Sequence, residues 1–175
     1  MIRRTVVAYW LIPSDPAHGF LQRIINDLAR RYDAPVFEPH VTVFVGTDHA
    51  DAVESALEEA THESKHTALA TLGIDESDEF IKTLFVRFAV NAELRKINGI
   101  IRQAANDSSQ YELKPHLSLL YKNMAAPTRR ELAASITVPF SKIAFHSLQA
   151  IRCISPTQTG ADVEAWELLA TRALR

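Results

Sequence analysis

The chain carries two short stretches with the same arrangement of chemically useful side chains. The string PHVTV surrounds His40, and the string PHLSL surrounds His116. Each histidine follows a proline and is followed two positions later by a hydroxyl residue. Alternate residues of a strand point to the same face, so His40 is expected to share a face with Thr42, and His116 with Ser118.

This set of side chains suits the hydrolysis of a phosphodiester. Imidazole titrates near neutral pH, so one histidine can accept a proton while the other donates one. The hydroxyls of Thr42 and Ser118 can donate hydrogen bonds to the non-bridging oxygens of a phosphate. Such a site needs no metal or other cofactor, and we predict none. A cyclic phosphate suits it because ring opening helps the leaving alkoxide to depart.

Other interpretations of the histidines compete with this one. A single histidine in a strand is commonly structural, but two copies in matching strands favour a paired function. A zinc site needs three or four ligands, and the nearby candidates are only Glu38 and Cys153. The sequence has no CxxC, no GxSxG and no glycine-rich phosphate loop. The remaining histidines are predicted to be solvated or packed: His18, His49, His62, His66 and His146.

The elements that must position these residues follow from the hydrophobic pattern. Runs rich in Val, Ile, Tyr and Trp predict strands, and apolar residues at helical spacing predict amphipathic helices. The predicted strands are 5–12, 36–45, 67–74, 80–90 and 114–121, one or two within 138–154, and 163–173, whose composition would also fit a helix. The predicted helices are 16–32, 50–63, one through Leu94 and Ile101 with Asn91 as its N-cap, and 127–135.

The order of these elements repeats along the chain. A series β-α-β-α-β is followed by a second such series, and each marked histidine lies in the second strand of its half. His40 follows Val7 by 33 positions, and His116 follows Leu84 by 32. We therefore predict an α+β fold in a single domain, 1–175, built of two pseudo-symmetric lobes. The lobes cover roughly 1–78 and 79–175 and exchange strands.

Composition limits the class of protein. The 175 residues are 47% hydrophobic and 23% charged, as in globular proteins with a core of their own. The net charge of −2 counts against a broad grip on duplex DNA. The single cysteine, Cys153, cannot form an internal disulfide, so we expect a reducing, cytoplasmic location. The first apolar run is stopped by Pro13 and predicts a strand, not a signal peptide or membrane span.

The two motifs resemble those of the two-histidine (2H) phosphoesterase superfamily, whose mark is a duplicated H-x-T/S-x. Here the copies read HVTV at residues 40–43 and HLSL at residues 116–119. The strings PHVTV and PHLSLLY, the opening YWLIP and the ending through Trp166 look most like the cyclic phosphodiesterase branch. The resemblance spans nearly the whole chain. It implies a bilobal fold in which two antiparallel sheets line a central cleft and helices lie outside.

The resemblance also implies an activity and its residues. It predicts metal-independent hydrolysis of ADP-ribose 1″,2″-cyclic phosphate, of nucleoside 2′,3′-cyclic phosphates to 2′-phosphates, or of both. His40 and His116 match the catalytic positions, with His116 assigned as base and His40 as acid, although the symmetry of the pair leaves these roles open. Thr42 and Ser118 match the phosphate-binding positions, and Tyr121 closes the second motif as a further phosphate contact.

Three more side chains are candidates for contact with substrate. Trp10 could shape the cleft, and Phe80 could stack on the base of a nucleotide. Core packing explains these two aromatic residues equally well. Alternation along the predicted strand puts Lys82 on the face of Phe80, where it either reaches a pyrophosphate or faces solvent.

Two other functions stay open for such a chain. The first is an RNA 2′,5′-ligase or RNA-end cyclic phosphodiesterase of the same superfamily, which would favour a basic groove, and the slightly negative charge counts against it. The second is a non-catalytic nucleotide-binding module, although a pure binder has no need of an acid–base couple. The expected partner is a small cyclic nucleotide or ADP-ribose cyclic phosphate, with an RNA end as the alternative. We expect no membrane partner, and we expect a monomer.

Overall fold

The computed structural model describes residues 2–107 and 109–175; Met1 and Ser108, which fall within the predicted lobes, lie outside the described residues. These ranges form seven strands and five α-helices. The strands are β1 (Arg4–Pro13), β2 (Val41–Thr47), β3 (Thr67–Glu76), β4 (Leu84–Phe88), β5 (His116–Leu120), β6 (Lys142–Ser155) and β7 (Glu167–Ala173). The helices are α1 (Ala17–Tyr32), α2 (Ala50–Glu63), α3 (Ala92–Ala104), α4 (Ala126–Ser135) and α5 (Gly160–Glu164), with a 3₁₀ turn at Phe80–Lys82.

The strands form an antiparallel sheet whose order is nearly symmetric. The path runs β2-β1-β6-β3-β4-β5, and β7 also pairs with β6. Exchange of the two halves of this path maps β1 onto β4 and β2 onto β5. The two histidine motifs therefore lie at the two ends of one sheet. The predicted α+β class with antiparallel strands is confirmed.

Strand β3 joins the two sheets that the resemblance implies. Its residues 67–70 pair with β6, and its residues 71–76 pair with β4. Strand β6, from the second half of the sequence, runs along the whole of β1. The halves thus interleave, and the two sheets are continuous with each other through β3.

The sheet separates structural side chains from those available for chemistry. Along β1, Val7, Tyr9 and Leu11 are buried in the main hydrophobic core, which includes the apolar faces of the helices. The alternate residues Ala8 and Trp10 belong to a smaller apolar cluster on the other face. This division follows from the period of two along a strand.

The helices form where the apolar spacing predicts them and pack outside the sheet. Helix α1 buries Leu21, Ile25 and Leu28, which recur at intervals of four and three residues. Helix α3 begins at its predicted cap, where the side chain of Asn91 accepts a hydrogen bond from the Leu94 N–H at 2.8 Å. No helix in the described ranges is both long and apolar enough to cross a membrane.

Both histidine strands begin later than predicted. Strand β2 starts at Val41 instead of residue 36, and β5 starts at His116 instead of residue 114. A proline precedes each histidine, and proline has no N–H to contribute to a strand ladder. The two imidazoles therefore project from the starts of their strands.

The strand predicted for residues 80–90 is wrong at its beginning. Phe80–Lys82 forms a 3₁₀ turn, and β4 starts two residues later. The Thr83 hydroxyl lies within hydrogen-bond distance of three carbonyl oxygens, those of Glu79 at 3.4 Å, Phe80 at 3.0 Å and Lys122 at 2.8 Å. Side-chain bonds of this kind compete with strand pairing. The alternation assumed for this segment therefore does not apply.

The C-terminal segment contains both of the structures that its composition fits. A short helix, α5, is capped by Thr159, whose hydroxyl accepts from the Asp162 N–H at 3.2 Å, and β7 follows it. Upstream, the region 138–154, predicted to hold one or two strands, contains a single strand, β6, which runs from Lys142 to Ser155.

Candidate active site

The two histidine motifs face a single cavity of about 240 Å³. His40 and Thr42 reach it from the β2 end of the sheet, and His116 and Ser118 reach it from the β5 end. The structure thus brings together the four side chains that the motifs single out. The described residues that line the cavity are Val6, Ala8, Trp10, His40, Thr42, Val45, Ile81, Tyr111, His116, Ser118, Tyr121, Cys153, Ile154, Ser155, Pro156, Thr157 and Trp166.

Each imidazole is held by its own backbone in the same way. Nδ1 of His40 lies 2.6 Å from the carbonyl oxygen of Glu38, and Nδ1 of His116 lies 2.9 Å from that of Lys114. A carbonyl oxygen can only accept, so Nδ1–H is the donor in both rings. Nε2 is then the atom that can take up a proton from a neutral ring or release one from a charged ring.

Aromatic side chains enclose the ring of His40. The Trp10 ring stacks on it, with centroids 3.6 Å apart and planes inclined by 13°. Phe37 and Trp166 approach in edge-on geometry at 6.3 and 6.2 Å. Burial lowers the pKa of His40 from 6.5 to about 4; the backbone hydrogen bond opposes this shift, and the nearby His116 adds to it.

The environment of His116 is more open. Its ring is half-buried, and the Phe85 ring meets it at 5.5 Å with planes inclined by 72°. Burial lowers the pKa of His116; the backbone hydrogen bond raises it, Lys82 lowers it further, and Glu79 raises it. Both imidazoles are therefore neutral at pH 7 in the free site.

Trp10 and Phe85 occupy equivalent positions in the two halves. Trp10 pairs with Thr42 across β1 and β2, and Phe85 pairs with Ser118 across β4 and β5. In each ladder the register shifts immediately before the aromatic residue. Such irregularities redirect side chains and are common next to active sites. The internal duplication therefore extends from the histidines to their aromatic neighbours.

The two hydroxyls differ in their hydrogen bonds. Ser118 Oγ donates to the carbonyl oxygen of Ile81 at 2.7 Å. Thr42 Oγ1 has no hydrogen-bond partner in the described part of the chain, and its residue is half-buried on the cavity wall. Thr42 can therefore donate to a ligand directly, whereas Ser118 must first turn its proton away from Ile81.

Two tyrosines complete the polar lining. Tyr121, the predicted phosphate contact, stacks on Phe37 with centroids 3.8 Å apart, and burial raises the pKa of Tyr121, so its hydroxyl stays protonated. Tyr111 was not predicted; its hydroxyl donates to the carbonyl oxygen of Thr42 at 3.1 Å, and burial raises its pKa to about 12. Tyr111 lies in the loop between α3 and β5, where neither motif gives a signal.

The other predicted contacts lie in different places. Trp10 lines the cavity. Phe80 is not part of the lining, and its ring packs on that of Tyr121 at 6.0 Å. Lys82 is not part of the lining either, and its Nζ lies 4.7 Å from the centre of the Phe85 ring. Phe80 thus adjoins the site through Tyr121, because it belongs to a 3₁₀ turn and not to a strand.

Trp166 and Cys153 also line the cavity. No role at the site was predicted for Trp166, and Cys153 was considered only as a possible zinc ligand. The Trp166 ring is edge-on to Trp10 at 5.1 Å and to Tyr121 at 6.0 Å, so it bridges the aromatic groups of the two motifs. Burial raises the pKa of Cys153 to about 11, and its thiol is therefore protonated.

The carboxylate nearest the first motif has structural partners. Glu38 Oε1 lies 3.2 Å from Nε2 of His18, and its Oε2 accepts from Gln149 at 3.5 Å. These contacts tie Glu38 to α1 and β6, and its backbone carbonyl in turn holds His40.

The sequence contains one zinc-binding motif that does not form a zinc site in the structure. HESKH, at residues 62–66, has the HExxH spacing of zinc peptidases. That pattern requires both histidines on one helix face, but α2 ends at Glu63 and the chain is extended from the next residue. Across the described residues, no three metal-ligating side chains cluster together.

Comparison with known proteins agrees with this geometry. Residues 5–174 match the family described as cyclic phosphodiesterase-like protein. The chain belongs to the cyclic phosphodiesterase-like family. Membership confirms the predicted branch of the two-histidine phosphoesterases and the predicted enzyme class. Cyclic phosphodiesterase from Arabidopsis thaliana is 22% identical over 173 residues, which cover 97% of this chain and 95% of that protein.

Solved structures share the fold of this family member. Escherichia coli LigT complexed with 3′-AMP covers 96% of both chains with a TM-score of 0.60 and 15% identity. The protein TT0787 of Thermus thermophilus covers 97% of this chain and 98% of its own, with a TM-score of 0.59 and 13% identity. At such identities the likeness concerns the fold alone, and it confirms the predicted 2H phosphoesterase fold.

Proposed function

We propose that the chain hydrolyses cyclic phosphodiesters without a metal ion, with His40 and His116 as an acid–base pair. The candidate substrates are ADP-ribose 1″,2″-cyclic phosphate and nucleoside 2′,3′-cyclic phosphates, which would open to 2′-phosphates. The observation that carries the proposal is the matched anchoring of two imidazoles that line one cavity. Each ring keeps one nitrogen for proton transfer.

The two histidines have complementary tasks in the opening of a 2′,3′-cyclic phosphate. The oxygen of a water molecule forms a new bond to phosphorus while the bond from phosphorus to O3′ breaks. Nε2 of His116 accepts the proton of the water, and the charged ring of His40 gives a proton to O3′. His116 suits the role of base because it is neutral at pH 7 and more open to solvent.

His40 needs a proton before it can act as the acid. Its pKa of about 4 keeps it neutral in the free site, and a gap of about three pH units corresponds to about 4 kcal/mol. A bound phosphodiester anion raises this pKa because an opposite charge favours the imidazolium. The attraction at a distance of ~4 Å is about 4 kcal/mol at an effective dielectric constant of ~20. Substrate binding therefore raises the pKa of His40 enough for its ring to carry a proton near pH 7.

Three hydroxyl groups are available to hold the phosphate. Thr42 and Tyr121 have protons that can point to the non-bridging oxygens, and Ser118 can do so after it releases the Ile81 carbonyl. Donors placed where negative charge grows stabilise the transition state more than the ground state.

The experiment that tests this function is phosphorus NMR of a nucleoside 2′,3′-cyclic phosphate incubated with the purified protein in EDTA. We expect the cyclic resonance to be replaced by that of a 2′-monophosphate, and we expect His40→Ala and His116→Ala proteins to leave it unchanged over the same time. A 3′-monophosphate would reverse the assignment of the leaving oxygen. Loss of activity in EDTA that zinc restores would contradict metal independence.

Inactivity on both this nucleotide and ADP-ribose 1″,2″-cyclic phosphate would overturn the proposal. A short RNA with a 2′,3′-cyclic end would then test the RNA-end alternative, and equilibrium binding of the same ligands would test the non-catalytic one. The proposal includes the monomer and the cytoplasmic location expected from the sequence, which sedimentation and cell fractionation can check.

A further inference from the structure

We infer that this cavity accepts one negative charge, so that a nucleoside 2′,3′-cyclic phosphate is its substrate in preference to the pyrophosphate-bearing ADP-ribose 1″,2″-cyclic phosphate. This preference rests on the proposed function and chooses between its two candidate substrate classes. It is carried by the charge, the chemistry and the size of the cavity.

The lining has groups for one phosphate and no cations for a second. Among the described lining residues there is no lysine, arginine, aspartate or glutamate. The cation nearest on β6, Arg152, is on the strand next to the lining residue Cys153 and is already paired with Asp48 at 2.9 Å and Glu167 at 2.8 Å. Lys82, whose Nζ lies 4.7 Å from the centre of the Phe85 ring, is outside the lining. Within the described lining itself, a pyrophosphate would find no cationic partner.

The wall beside the histidines is apolar. Val6, Ala8 and Val45 line it from β1 and β2, and Ile154 and Pro156 line it from the β6 side. Such a wall suits the flat face of a nucleobase, which gains from leaving water. A charged phosphate placed against it would lose hydration without a hydrogen-bond partner, which is strongly unfavourable. If the pyrophosphate stayed in solvent instead, the adenine beyond it would make no contact with the wall.

The volume points the same way. The cavity holds about 240 Å³, somewhat below the roughly 300–1,000 Å³ usual for small-molecule sites. A nucleoside cyclic phosphate has one base, one ribose and one phosphate. ADP-ribose cyclic phosphate has a second ribose and a pyrophosphate in addition, and so needs more room than a nucleoside cyclic phosphate.

The test compares kcat/KM for adenosine 2′,3′-cyclic phosphate and ADP-ribose 1″,2″-cyclic phosphate with the same protein at the same ionic strength. Both carry adenine and one cyclic phosphate, but in ADP-ribose 1″,2″-cyclic phosphate the ring is on the distal ribose, beyond the pyrophosphate. We expect the nucleoside substrate to be preferred at least about tenfold, which equals about 1.4 kcal/mol. Equal or reversed preference would overturn the inference and leave the proposed function standing. Turnover of neither would overturn both.

A charge substitution provides a second test. Ile154 lines the cavity and is 37% exposed, so a lysine there can lay its stem on the wall and reach solvent with its ammonium. We expect Ile154→Lys to shift the preference towards ADP-ribose cyclic phosphate about fivefold or more, and added salt to reduce this shift. The uncharged control, Ile154→Gln, should not shift it. The same shift in both variants would show that bulk, and not charge, governs the choice, and would contradict the inference.

Discussion

The indole ring of Trp10 lies parallel to the imidazole of His40 at 3.6 Å, whereas its counterpart Phe85 meets His116 edge-on. The duplicated halves thus place an aromatic ring beside each histidine but in different orientations. The parallel stack excludes water from one imidazole, and the edge-on contact leaves the other half-open. A symmetric motif therefore yields two imidazoles with different proton affinities.

Replacement of Trp10 by alanine should raise the pKa of His40. Burial is the largest cause of its low value of about 4, and removal of the indole admits water to one face of the ring. The measurement is NMR titration of the imidazole proton resonances, which needs no substrate.

Phe85→Ala is the matched control for this titration. It should raise the pKa of His116, because burial lowers that pKa in the parent protein. It should leave the pKa of His40 at about 4. A Trp10→Ala protein in which His40 still titrates near pH 4 would show that the stack is not the source of the shift.

Loss of either histidine should remove most of the activity. We expect His40→Ala and His116→Ala each to lower kcat at least about 100-fold, the scale of lost general acid or base catalysis. His146→Ala is the matched control because His146 is exposed on β6 and does not line the cavity. Full turnover by either motif variant would refute the acid–base pair.

The buried neutral ring of His40 should make the fold sensitive to acid. The unfolded chain binds a proton at this residue below pH 6.5, but the folded chain does so only below about 4. Its contribution is therefore complete above pH 6.5 and is lost as the pH falls towards 4, with a total of about 3 kcal/mol.

Urea unfolding of His40→Gln and of the parent protein at pH 7.5 and pH 4.5 measures this contribution. The variant should lose less stability between the two pH values, by about 2–3 kcal/mol. His146→Gln should lose as much as the parent. Equal acid sensitivity in all three proteins would mean that His40 titrates normally in the fold.

Removal of the Thr42 hydroxyl and removal of the Ser118 hydroxyl should both lower activity, but only the second should lower stability. Thr42→Val keeps the side-chain shape and removes a hydroxyl without a protein partner, so it should lower kcat/KM about tenfold or more and leave unfolding unchanged. Ser118→Ala should lower kcat/KM as well, but it also deprives the Ile81 carbonyl of its donor and should cost about 1–3 kcal/mol of stability. Equal stability effects would contradict the difference seen in their hydrogen bonds.

Much of this fold is predictable because its signals are local. The apolar spacing of α1 and α2 and the cap at Asn91 determine where helices form. The placement of His40 and His116 on one cavity is predictable from the duplicated motif. The prolines before them also indicate that the strands start late. The prediction followed the apolar residues instead and placed both strand starts too early.

Other features depend on contacts that the pattern does not encode. The 3₁₀ turn at Phe80–Lys82 depends in part on a bond from Thr83 to Lys122, 39 positions away. For this reason Phe80, which was expected to stack on a nucleotide base, is not part of the cavity lining, and Phe85 is the aromatic neighbour of His116. Tyr111 enters the site from a loop, and its position depends on its bond to the Thr42 carbonyl.

The location of the two histidine strands at the ends of the sheet path has a consequence for how the protein folds. Each helix can form from near neighbours, but the cavity that His40 and His116 share needs β2 and β5, which lie at opposite ends of the sheet path. Contacts so distant in sequence are slow to form. Catalytic competence should therefore be the last property recovered on refolding, so that turnover lags behind the far-ultraviolet circular dichroism signal.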